Sequence, residues 1–353
     1  MSKAARTHGK PLDFARGRVE LSHGSGGKAS AQLIEELFQS AFANAFLDAQ
    51  DDGAQLPLPA LAPGQRLVIA TDSHVVAPLL FPGGDIGCLA VHGTLNDVAM
   101  NGAQPLWLAS AFIIEEGLPL ADLRRIVASM AAAARAAGVP IVTGDTKVVE
   151  RGKGDGVFIT TTGVGVTYAG SEISARRAAP GDRILVSGTL GDHGVAVMSK
   201  RQNMDFATGV VSDTAALHGL VDALLRAVPD VHVLRDPTRG GLASTLNEIA
   251  QTAGVGMRLQ EQALPVREEV RAACEFLGLD PLYCANEGKL IAICPPDVAD
   301  TALCALRAHP LGRDAAIVGH VVEDRHCFVS LHTVFGGERM IDWLAGEQLP
   351  RIC

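Results

Sequence analysis

The residues best suited to chemistry include a thiol at the very end of the chain. Cys353 is the last residue, and cysteine occurs only seven times in 353 positions, which favours a group that must reach another site. Gly346 permits a bend, and Pro350 keeps the residue before it extended. We therefore expect residues 347–353 to form an arm of roughly 20 Å, at about 3.3 Å per residue. A disordered, accidental end is the alternative interpretation.

Acidic residues form the second candidate group. Asp72 and Asp145 end predicted buried strands, Asp85 lies in a glycine-rich turn, and Asp97 follows Asn96 in a helical pattern. Mg²⁺ prefers oxygen ligands and usually bridges to nucleotide phosphates, so the repeated aspartates favour a cation site. Each aspartate taken singly has the commoner interpretation of a helix cap or turn residue.

A glycine-rich stretch lies before the first predicted helix. It comprises Gly24, Ser25, Gly26, Gly27 and Lys28. Backbone N–H groups at a helix start can bind phosphate, although a plain flexible turn is at least as well supported. The stretch is not a P-loop, because Ala29 follows the lysine where that motif needs Ser or Thr.

Two further patterns lie in the second half or link the halves. Asp192 and His193 together are typical of an acid/base pair, but an aspartate that caps a helix is the interpretation we favour. The pattern of residues 94–99 recurs in residues 245–250, 151 positions later. This echo predicts equivalent helices in two related halves, although six residues of amphipathic helix can match by chance.

Composition limits the class of protein. The chain has 353 residues, of which 48% are hydrophobic, 20% charged and 4% aromatic, which predicts a globular enzyme with large aliphatic cores and room for two domains. A net charge of −9 argues against nucleic-acid binding. Residues 1–20 resemble neither a signal peptide nor an anchor, so we expect a cytoplasmic location and no membrane span. In that compartment the other six cysteines should be buried free thiols: Cys88, Cys274, Cys284, Cys294, Cys304 and Cys327.

Hydrophobic periodicity predicts the elements that position these residues. Strands are expected at 67–72, 106–114, 139–142, 157–167, 184–187, 289–294, 317–322 and 327–331. Helices are expected at 29–44, 93–103, 122–137, 216–228, 242–253, 267–277 and 297–307. Met340, Trp343 and Leu344 have helical spacing and predict one turn that holds the tail on the body. The pattern indicates an α/β (α+β) fold whose halves divide near the loop at 174–182.

Motifs along nearly the whole chain give a specific resemblance. They include residues 23–28, 71–73, 81–87, 96–99, 144–147, 191–194, 236–241, 286–288 and the final 350–353. On these residues the chain resembles the HypE family of hydrogenase maturation proteins. That family lies in the PurM-like superfamily with aminoimidazole ribonucleotide synthetase, selenophosphate synthetase and thiamine-monophosphate kinase. The terminal 350–353 motif distinguishes this family from the others.

The resemblance implies a division into four parts. These are an N-terminal extension (1–18), an ATP-binding and dimerisation domain (19–173), a second α/β domain (174–332) and a mobile tail (333–353) that carries Cys353. It also implies ATP and Mg²⁺ as cofactors, a homodimer, and two protein partners, the carbamoyltransferase HypF and the HypC–HypD complex.

The implied reaction takes place on the protein itself. HypF would carbamoylate Cys353, and this chain would dehydrate the S-carbamoyl group to a thiocyanate, which supplies the cyanide ligand of the [NiFe] hydrogenase iron. An amide oxygen is a poor leaving group, so ATP would activate it by phosphorylation. The resemblance assigns Glu287 as base, Lys147 as an orienting or neutralising group, and Asp72, Asp97, Asp145 and Asp236 as metal ligands. Nucleotide would bind at Gly24, Ser25, Gly26, Gly27, Lys28, Asp72, Asp85, Asn96, Asp97, Asp145 and Arg239.

Two other functions fit the same sequence. One is an ATP-dependent ligase or kinase of the superfamily that acts on a free small molecule, with an incidental terminal cysteine. The other is a thiol carrier that binds nucleotide and partners without catalysis. Replacement of Cys353 would separate these functions from the dehydratase, because only the dehydratase needs this sulfur to turn over.

Overall fold

The computed structural model describes residues 11–49, 51–57, 59–202, 209–344, 346, 349 and 351–353. The first part of the chain forms α1 (Lys28–Leu33), a π-helical stretch (Ile34–Gln39), α2 (Ser40–Phe42), β1 (Leu67–His74), β2 (Leu80–Phe81), β3 (Gly84–Asp85), α3 (Ile86–Met100), β4 (Ala103–Glu115), α4 (Leu120–Ala137), β5 (Ile141–Val149) and β6 (Val157–Thr167). The second part forms β7 (Arg183–Val186), α5 (Asp192–Arg201), α6 (His218–Ala227), β8 (Val233–Arg235), α7 (Gly241–Ala253), β9 (Gly256–Gln260), α8 (Glu268–Leu277), β10 (Ile291–Cys294), α9 (Ala299–Ala308), β11 (Ala316–Val322), β12 (Val329–His332) and β13 (Glu338–Met340).

The first sheet has the strand order β1-β6-β4-β5 and is covered by helices on one face. Its strands are antiparallel except for the parallel pair β4 and β5. Helix α3 packs on β1, β4 and β6, and α4 packs on α3. Alternation along β6 buries Val157, Ile159 and Thr161 under these helices, as the period of two in a strand requires. The other face of the sheet leaves Ile69 74% exposed.

The central strands of the second sheet are buried on both faces. Its strand order is β13-β12-β9-β11-β7-β10-β8, and only β9 and β12 are parallel. Ile184 and Val186 face a core that includes α7, whereas Leu185 faces a core with α6 and α9. Strands buried on both sides consist of continuous apolar runs, which explains why β7 and β10 were predictable from the sequence.

The end of α3 joins the two halves. Ala99 and Met100 belong to the core formed by α6 and α9. The buried Asn96 amide nitrogen donates to the carbonyl oxygens of Ala215 (3.0 Å) and Glu287 (3.3 Å), and its oxygen accepts from the Leu217 N–H (2.8 Å). One side chain of the first half thus holds two separate segments of the second half.

Most predicted elements are confirmed, and the differences have local causes. β6 has the predicted bounds, and α3 starts at Ile86 rather than 93 because the Asp85 carboxylate accepts from the Gly87 and Cys88 N–H groups and caps the helix. Asp145 does not end its strand, because parallel pairing with β4 carries β5 on to Val149. Five short strands, β2, β3, β8, β9 and β13, were missed.

The helical turn predicted from Met340, Trp343 and Leu344 is wrong. β13 pairs antiparallel with β12 through Met340, and the Ile341 N–H extends the ladder to the Val329 carbonyl (2.8 Å). Ile341 is the buried anchor of this segment. The prediction of buried free thiols is confirmed for Cys274, Cys284 and Cys294, whereas Cys304 is exposed and Cys88 and Cys327 are half-buried.

The repeated hexapeptide falls on equivalent helices. Residues 94–99 lie in α3 and residues 245–250 in α7, and each helix packs on the sheet of its own half. Asn247 is buried like Asn96, and its amide donates to the Ile341 carbonyl (3.0 Å). The shared asparagine therefore has a shared task, which is to tie a distant backbone segment to a core helix.

Candidate active site

The last three residues are docked against the first half of the molecule. The backbone oxygen of Cys353 accepts from the Val75 N–H (3.0 Å), and that of Arg351 accepts from the Ala77 N–H (3.2 Å). Ile352 is only 2% exposed and belongs to the core of the first half. The end of the tail thus pairs through its backbone with the segment that follows β1. The predicted arm ends at a defined binding site for residues 351–353, which we call the seat. The start of the arm, at residues 347, 348 and 350, lies outside the described residues.

Side chains of the second half complete this seat. The His193 Nε2 atom lies 2.8 Å from the Ile352 carbonyl oxygen, and Arg201 donates to the Arg351 carbonyl (2.8 Å). Arg351, which has a positive φ of 50°, also forms an ion pair with Asp155. Our expectation that Asp192 caps α5 is wrong, because Gly191 occupies the cap position and no side chain caps this end.

The Cys353 thiol is half-buried beside the Glu287 carboxyl. Burial and the adjacent Glu287 raise the pKa of Cys353 well above its usual value, and the positive charge of Arg239 opposes this shift. A docked thiol is therefore protonated at neutral pH. The seat holds the sulfur in an unreactive form, which suits a group that must be carried rather than one that attacks.

Glu287 is almost fully buried, at 3% exposure, and its Oε1 atom has no hydrogen-bond partner among the described residues. Burial raises the pKa of Glu287 well above 4.5, and repulsion from Asp236, Asp213, Asp72 and Asp97 adds to the effect. An unpartnered buried acceptor costs free energy. Such an atom is typical of a site that is completed by a ligand.

The backbone around Glu287 is fixed from several directions. The Asn286 oxygen accepts from the Gly191 N–H (2.8 Å), and its amide donates to the carbonyls of Pro237 (3.0 Å) and Cys284 (3.0 Å). The Asp213 carboxylate accepts from the Glu287 N–H (3.1 Å). These bonds hold the carboxyl group of Glu287 within reach of the thiol.

Three aspartates from different elements repel one another beside Glu287. Asp72 lies in β1, Asp97 in α3, and Asp236 after β8. Burial raises the pKa of Asp97 to about 7, with added repulsion from Asp236 and Asp72, and burial raises the pKa of Asp236 to about 6. Carboxyl groups that are perturbed in this way cluster at functional sites.

The carboxylates of Asp72, Asp97 and Asp236 can supply only part of the coordination shell of a Mg²⁺ ion. In the ranges that the structure describes, no three His, Cys, Asp or Glu side chains converge closely enough to hold a metal ion by themselves. Mg²⁺ is commonly bound by one or two carboxylates and completed by phosphate oxygens and water. The mutual repulsion of Asp72, Asp97 and Asp236 is the observation that fits a bound cation.

Arg239 brings positive charge to the same place. It lies between β8 and α7, and its positive charge opposes the rise in the pKa of Cys353 and of Asp97 and contributes to the lowered pKa of His74. A guanidinium that faces both the thiol and the aspartates is well placed to hold a phosphate group. That Arg239 binds nucleotide stays a prediction.

Asp145 and Lys147 lie on the outward face of β5 and pair with each other. The Lys147 Nζ atom donates to both Asp145 oxygens at 2.7 Å, and the two side chains are 62% and 63% exposed. The lysine holds the pKa of Asp145 below its usual value. The two residues therefore differ from the buried aspartates, and no bond in the described structure connects them to Glu287 or Cys353.

The glycine-rich stretch lies against β5. A Cβ atom on Gly24 would come within 2.6 Å of the Val148 nitrogen, so glycine allows the loop to approach the strand. Gly26 has a φ of 78° and Gly27 precedes α1, which Lys28 begins. The Ser25 hydroxyl donates to the Ser22 carbonyl (2.9 Å). The loop therefore borders the strand that carries Asp145 and Lys147.

Two predicted nucleotide ligands have structural partners. Asp85 caps α3, as described above, and burial raises its pKa. All three hydrogen bonds described for Asn96 go to the second half of the chain.

The site prediction missed His74, whose Nε2 atom lies 3.5 Å from Asp72, and it missed Ser212 and Asp213. His74 could have been found from its place beside Asp72, but the residues near 212 carried only a loop pattern.

Comparison with known proteins identifies the family. Residues 50–167 match the N-terminal domain of AIR synthase related protein, and residues 179–332 match its C-terminal domain. The carbamoyl dehydratase HypE of Azotobacter vinelandii is 67% identical over 342 residues, which cover 97% of this chain and 99% of that protein.

Solved structures agree with the sequence relatives. A crystal structure of HypE in complex with ATP is 52% identical, with a TM-score of 0.90 over 94% of this chain and 99% of that one. HypE from a HypE–HypF complex is 50% identical, with a TM-score of 0.77 over 88% and 99% of the two chains. The predicted two-domain PurM-like α/β fold is thereby confirmed. The chain belongs to the HypE family of carbamoyl dehydratases, within the AIR synthase related proteins.

Proposed function

We propose that this chain dehydrates an S-carbamoyl group on its own Cys353 to a thiocyanate, at the expense of ATP, and so supplies the cyanide ligand of a [NiFe] hydrogenase. The observation that carries the proposal is the position of Cys353, docked beside the buried Glu287. The relatives named carbamoyl dehydratase support the reaction. A solved HypE–ATP complex supports the choice of nucleotide.

Glu287 is the base that this arrangement supplies. Conversion of –S–C(O)NH₂ to –S–C≡N removes the oxygen and both amide protons, so an acceptor must face the nitrogen. The unpartnered Oε1 atom of Glu287 would meet that requirement once bound Mg²⁺ offsets the repulsion from the neighbouring aspartates, because the carboxyl group that burial and repulsion keep protonated could then ionise. MgATP, when bound, provides the phosphoryl group that turns the amide oxygen into a leaving group, so the oxygen departs in phosphate.

The remaining residues divide the electrostatic tasks. Asp72, Asp97 and Asp236 would hold Mg²⁺, with Asp145 a further candidate on β5, and Arg239 would hold phosphate near the thiol. Lys147 would orient the thiocarboxamide or neutralise the forming phosphate once it leaves its pair with Asp145. Gly24, Ser25, Gly26, Gly27 and Lys28 would form one wall of the nucleotide site, beside β5.

The docked tail serves dehydration, whereas loading requires release. The seat shields the half-buried Cys353 from much of the solvent, which would slow hydrolysis of an activated group. HypF and the HypC–HypD complex must each reach the same sulfur, and a HypE–HypF complex has been solved for a relative. The tail would alternate between the seat and its partners.

A homodimer through the outward face of the first sheet completes the proposal. This face exposes Leu67, Ile69 and Ile113, and an apolar sheet face of this kind is typical of a protein interface. Ile69→Lys should then convert a dimer to a monomer in light-scattering measurements, with Val211→Lys, at another exposed apolar position, as the matched control. A wild-type monomer would contradict this part of the proposal.

Within the described ranges, no helix has the length and apolar character needed to cross a membrane. We place the reaction in the cytoplasm.

Intact-mass measurement tests the reaction directly. The carbamoylated chain should lose about 18 Da, one water, only when MgATP is present. Cys353→Ala should neither accept the carbamoyl group nor show the loss, whereas Cys304→Ala, at the exposed cysteine, should behave as the wild type. A carbamoylated chain that keeps its mass with MgATP would instead favour a carrier, and undiminished turnover of a free substrate by Cys353→Ala would favour a ligase.

A further inference from the structure

Two adjacent residues, Ser212 and Asp213, contact the two reacting parts of the site from one short segment. Both side chains are buried, and neither is an acid, a base or a ligand in the mechanism proposed above. The Ser212 N–H donates to the Pro82 carbonyl (2.8 Å), which fixes the segment on the first half. Ser212 is bonded toward the tail, and Asp213 is bonded toward Glu287.

Ser212 reaches the tail through His193. The Thr214 N–H donates to the Ser212 Oγ atom (3.1 Å), which lies 2.8 Å from His193 Nδ1. The Ile352 carbonyl can only accept, so the proton of a neutral His193 ring must lie on Nε2. The ring Nδ1 then accepts from the Ser212 hydroxyl. Burial lowers the pKa of His193 and keeps the ring neutral, so all three bonds have one consistent direction.

Asp213 fixes the backbone that carries Glu287. Its carboxylate accepts from the N–H groups of Glu287 (3.1 Å) and Gly288 (3.3 Å) and from Lys289 Nζ (3.0 Å). A Cβ atom on Gly288 would lie 1.8 Å from the Asp213 carbonyl oxygen, so the two backbones touch where only glycine fits. Any displacement of Asp213 would displace Glu287 with it.

We propose that Ser212 and Asp213 form one positioning unit that sets the tail carbonyl and the base carboxyl of Glu287 in register with each other. The inference rests on the proposed function, because it concerns how the thiol-borne substrate meets its base. A reacting group misplaced by about 1 Å can cost on the order of a hundred-fold in rate. Two adjacent residues with short bonds to both partners restrict such errors.

Two variants test separately the contact of this unit with the tail and its contact with Glu287. Ser212→Ala removes the hydroxyl that orients His193, so alkylation of Cys353 should accelerate about five-fold, the size expected for one net hydrogen bond. Ser212→Thr keeps the hydroxyl and should restore the wild-type rate. Asp213→Asn should leave alkylation unchanged but slow single-turnover dehydration of the carbamoylated chain by about ten- to a hundred-fold. Alkylation is measured by mass spectrometry of the C-terminal peptide, which separates Cys353 from the exposed Cys304.

Asp182→Asn is the matched control. Asp182 is also buried and accepts from one backbone N–H, of Ala179 (2.9 Å), and from His232 Nδ1 (2.8 Å), with no described bond to the tail or to residues 286–289. It should change neither alkylation nor dehydration. If Ser212→Ala and Asp213→Asn match Asp182→Asn in both measurements, the positioning unit is refuted.

The readouts separate this inference from the proposed function. A wild-type chain that shows no ATP-dependent mass loss refutes the proposed function. The rates of Cys353 alkylation in the Ser212 variants still decide whether Ser212 holds the tail. HypF-dependent carbamoylation that goes to completion shows that each variant is folded and loaded. If Asp213→Asn is not carbamoylated, the two Ser212 variants test the positioning unit instead. The unit then requires that dehydration is slower in Ser212→Ala and that Ser212→Thr recovers the wild-type rate.

Discussion

The seat of the tail and the outward face of β5 contrast sharply, although both belong to the proposed site. In the seat, the carbonyl oxygens of residues 351 to 353 all have partners and Ile352 is buried in the core. On β5, Asp145 and Lys147 are mostly exposed, and beyond their own ion pair the only described side-chain bond is the one that Asp145 accepts from the Thr146 N–H (2.8 Å). The chain itself therefore fixes the position of the sulfur, whereas the phosphate side is held by exposed groups that a nucleotide can rearrange.

Charge separates the two regions further. Near the seat, Glu287, Asp97 and Asp236 are pushed toward their neutral forms by burial and repulsion. On β5, the pKa of Asp145 is lowered by its lysine. The buried group stores unfavourable electrostatic energy that a bound cation would relieve, and the exposed pair stores little. Substitutions should therefore act very differently in the two regions.

The largest expected effect is that of Glu287→Gln in the buried region. This variant keeps the shape but loses the base, so dehydration should slow by about a hundred- to ten-thousand-fold. Carbamoylation should continue, because Cys353 is untouched. Single-turnover intact-mass kinetics give the rate, and Glu275→Gln, on α8, is the matched control. A dehydration rate within about ten-fold of the wild type would contradict the assignment of the base.

The same variant has a signature in stability. Folding raises the pKa of Glu287, so the folded state retains a proton that the unfolded state loses above its pKa of about 4.3. Wild-type stability attributable to this group is therefore lost as pH rises above that value. Glu287→Gln should gain in Tm relative to the wild type between about pH 5 and pH 8. A Tm difference that does not change over this range would show that Glu287 is ionised in the fold.

The second effect contrasts Asp97→Asn with Asp145→Asn. Asp97 is one of the mutually repelling carboxylates, so its replacement should weaken Mg²⁺-dependent nucleotide binding by at least roughly ten- to a hundred-fold. Asp145→Asn should act less, because Asp145 is already neutralised by Lys147. Calorimetric titration with ATP at several Mg²⁺ concentrations measures both. Equal losses in the two variants would remove the distinction between the regions.

Asp97→Asn should also flatten the dependence of stability on pH. The pKa of Asp97 is about 7 in the fold and about 3.9 when unfolded, and each unit corresponds to about 1.4 kcal/mol. Wild-type stability from this group is therefore lost as pH rises from about 4 to about 7. In thermal unfolding without Mg²⁺, the Tm of Asp97→Asn should fall less over this pH interval than that of the wild type. The Tm of Asp145→Asn should follow the wild type.

The third effect concerns apolar packing in the seat. Burial of an isoleucine side chain contributes about 1.5–3 kcal/mol, so Ile352→Ala should release the tail more than any single polar change does. Alkylation of Cys353 should accelerate by about ten-fold or more, since about 1.4 kcal/mol corresponds to ten-fold. Ile69→Ala, at an exposed isoleucine, serves as control. An unchanged alkylation rate in Ile352→Ala would indicate that the tail is held by its polar bonds alone.

The sequence predicted the two regions unequally. Runs of apolar residues and their periods revealed β6, α4 and α7 nearly within their bounds, because each buries a regular face. The run at 67–72 also revealed β1, but the prediction that this strand is buried is wrong, since Leu67 and Ile69 are exposed. Asp72, Asp97 and Asp236 were predicted as site residues because the motifs that carry them are local. The seat was not predictable in detail, because His193, Arg201 and Ser212 meet the tail only after the two halves fold together.

Strand β5 shows the same limit from the other side. Its first residues, 141 and 142, are buried and were recognised, but the partly exposed continuation through Lys147 depends on parallel pairing with β4. Pairing of distant segments leaves no local period in the sequence. Asp145 was therefore placed at a strand end, when it lies in mid-strand with its side chain outward.

The smallest expected effect is that of Arg351→Ala at the rim of the seat. The Arg351–Asp155 pair joins side chains that are 51% and 41% exposed, and exposed pairs contribute about 0.2–1 kcal/mol. Cys353 alkylation should therefore accelerate by no more than about five-fold, and this gain should shrink at 1 M salt because the Debye length falls to about 3 Å. Asp155→Ala should produce the same change, and the double variant should add nothing to it. An acceleration as large as that of Ile352→Ala, or one that persists in high salt, would mean that the exposed rim rather than the buried isoleucine holds the sulfur in place.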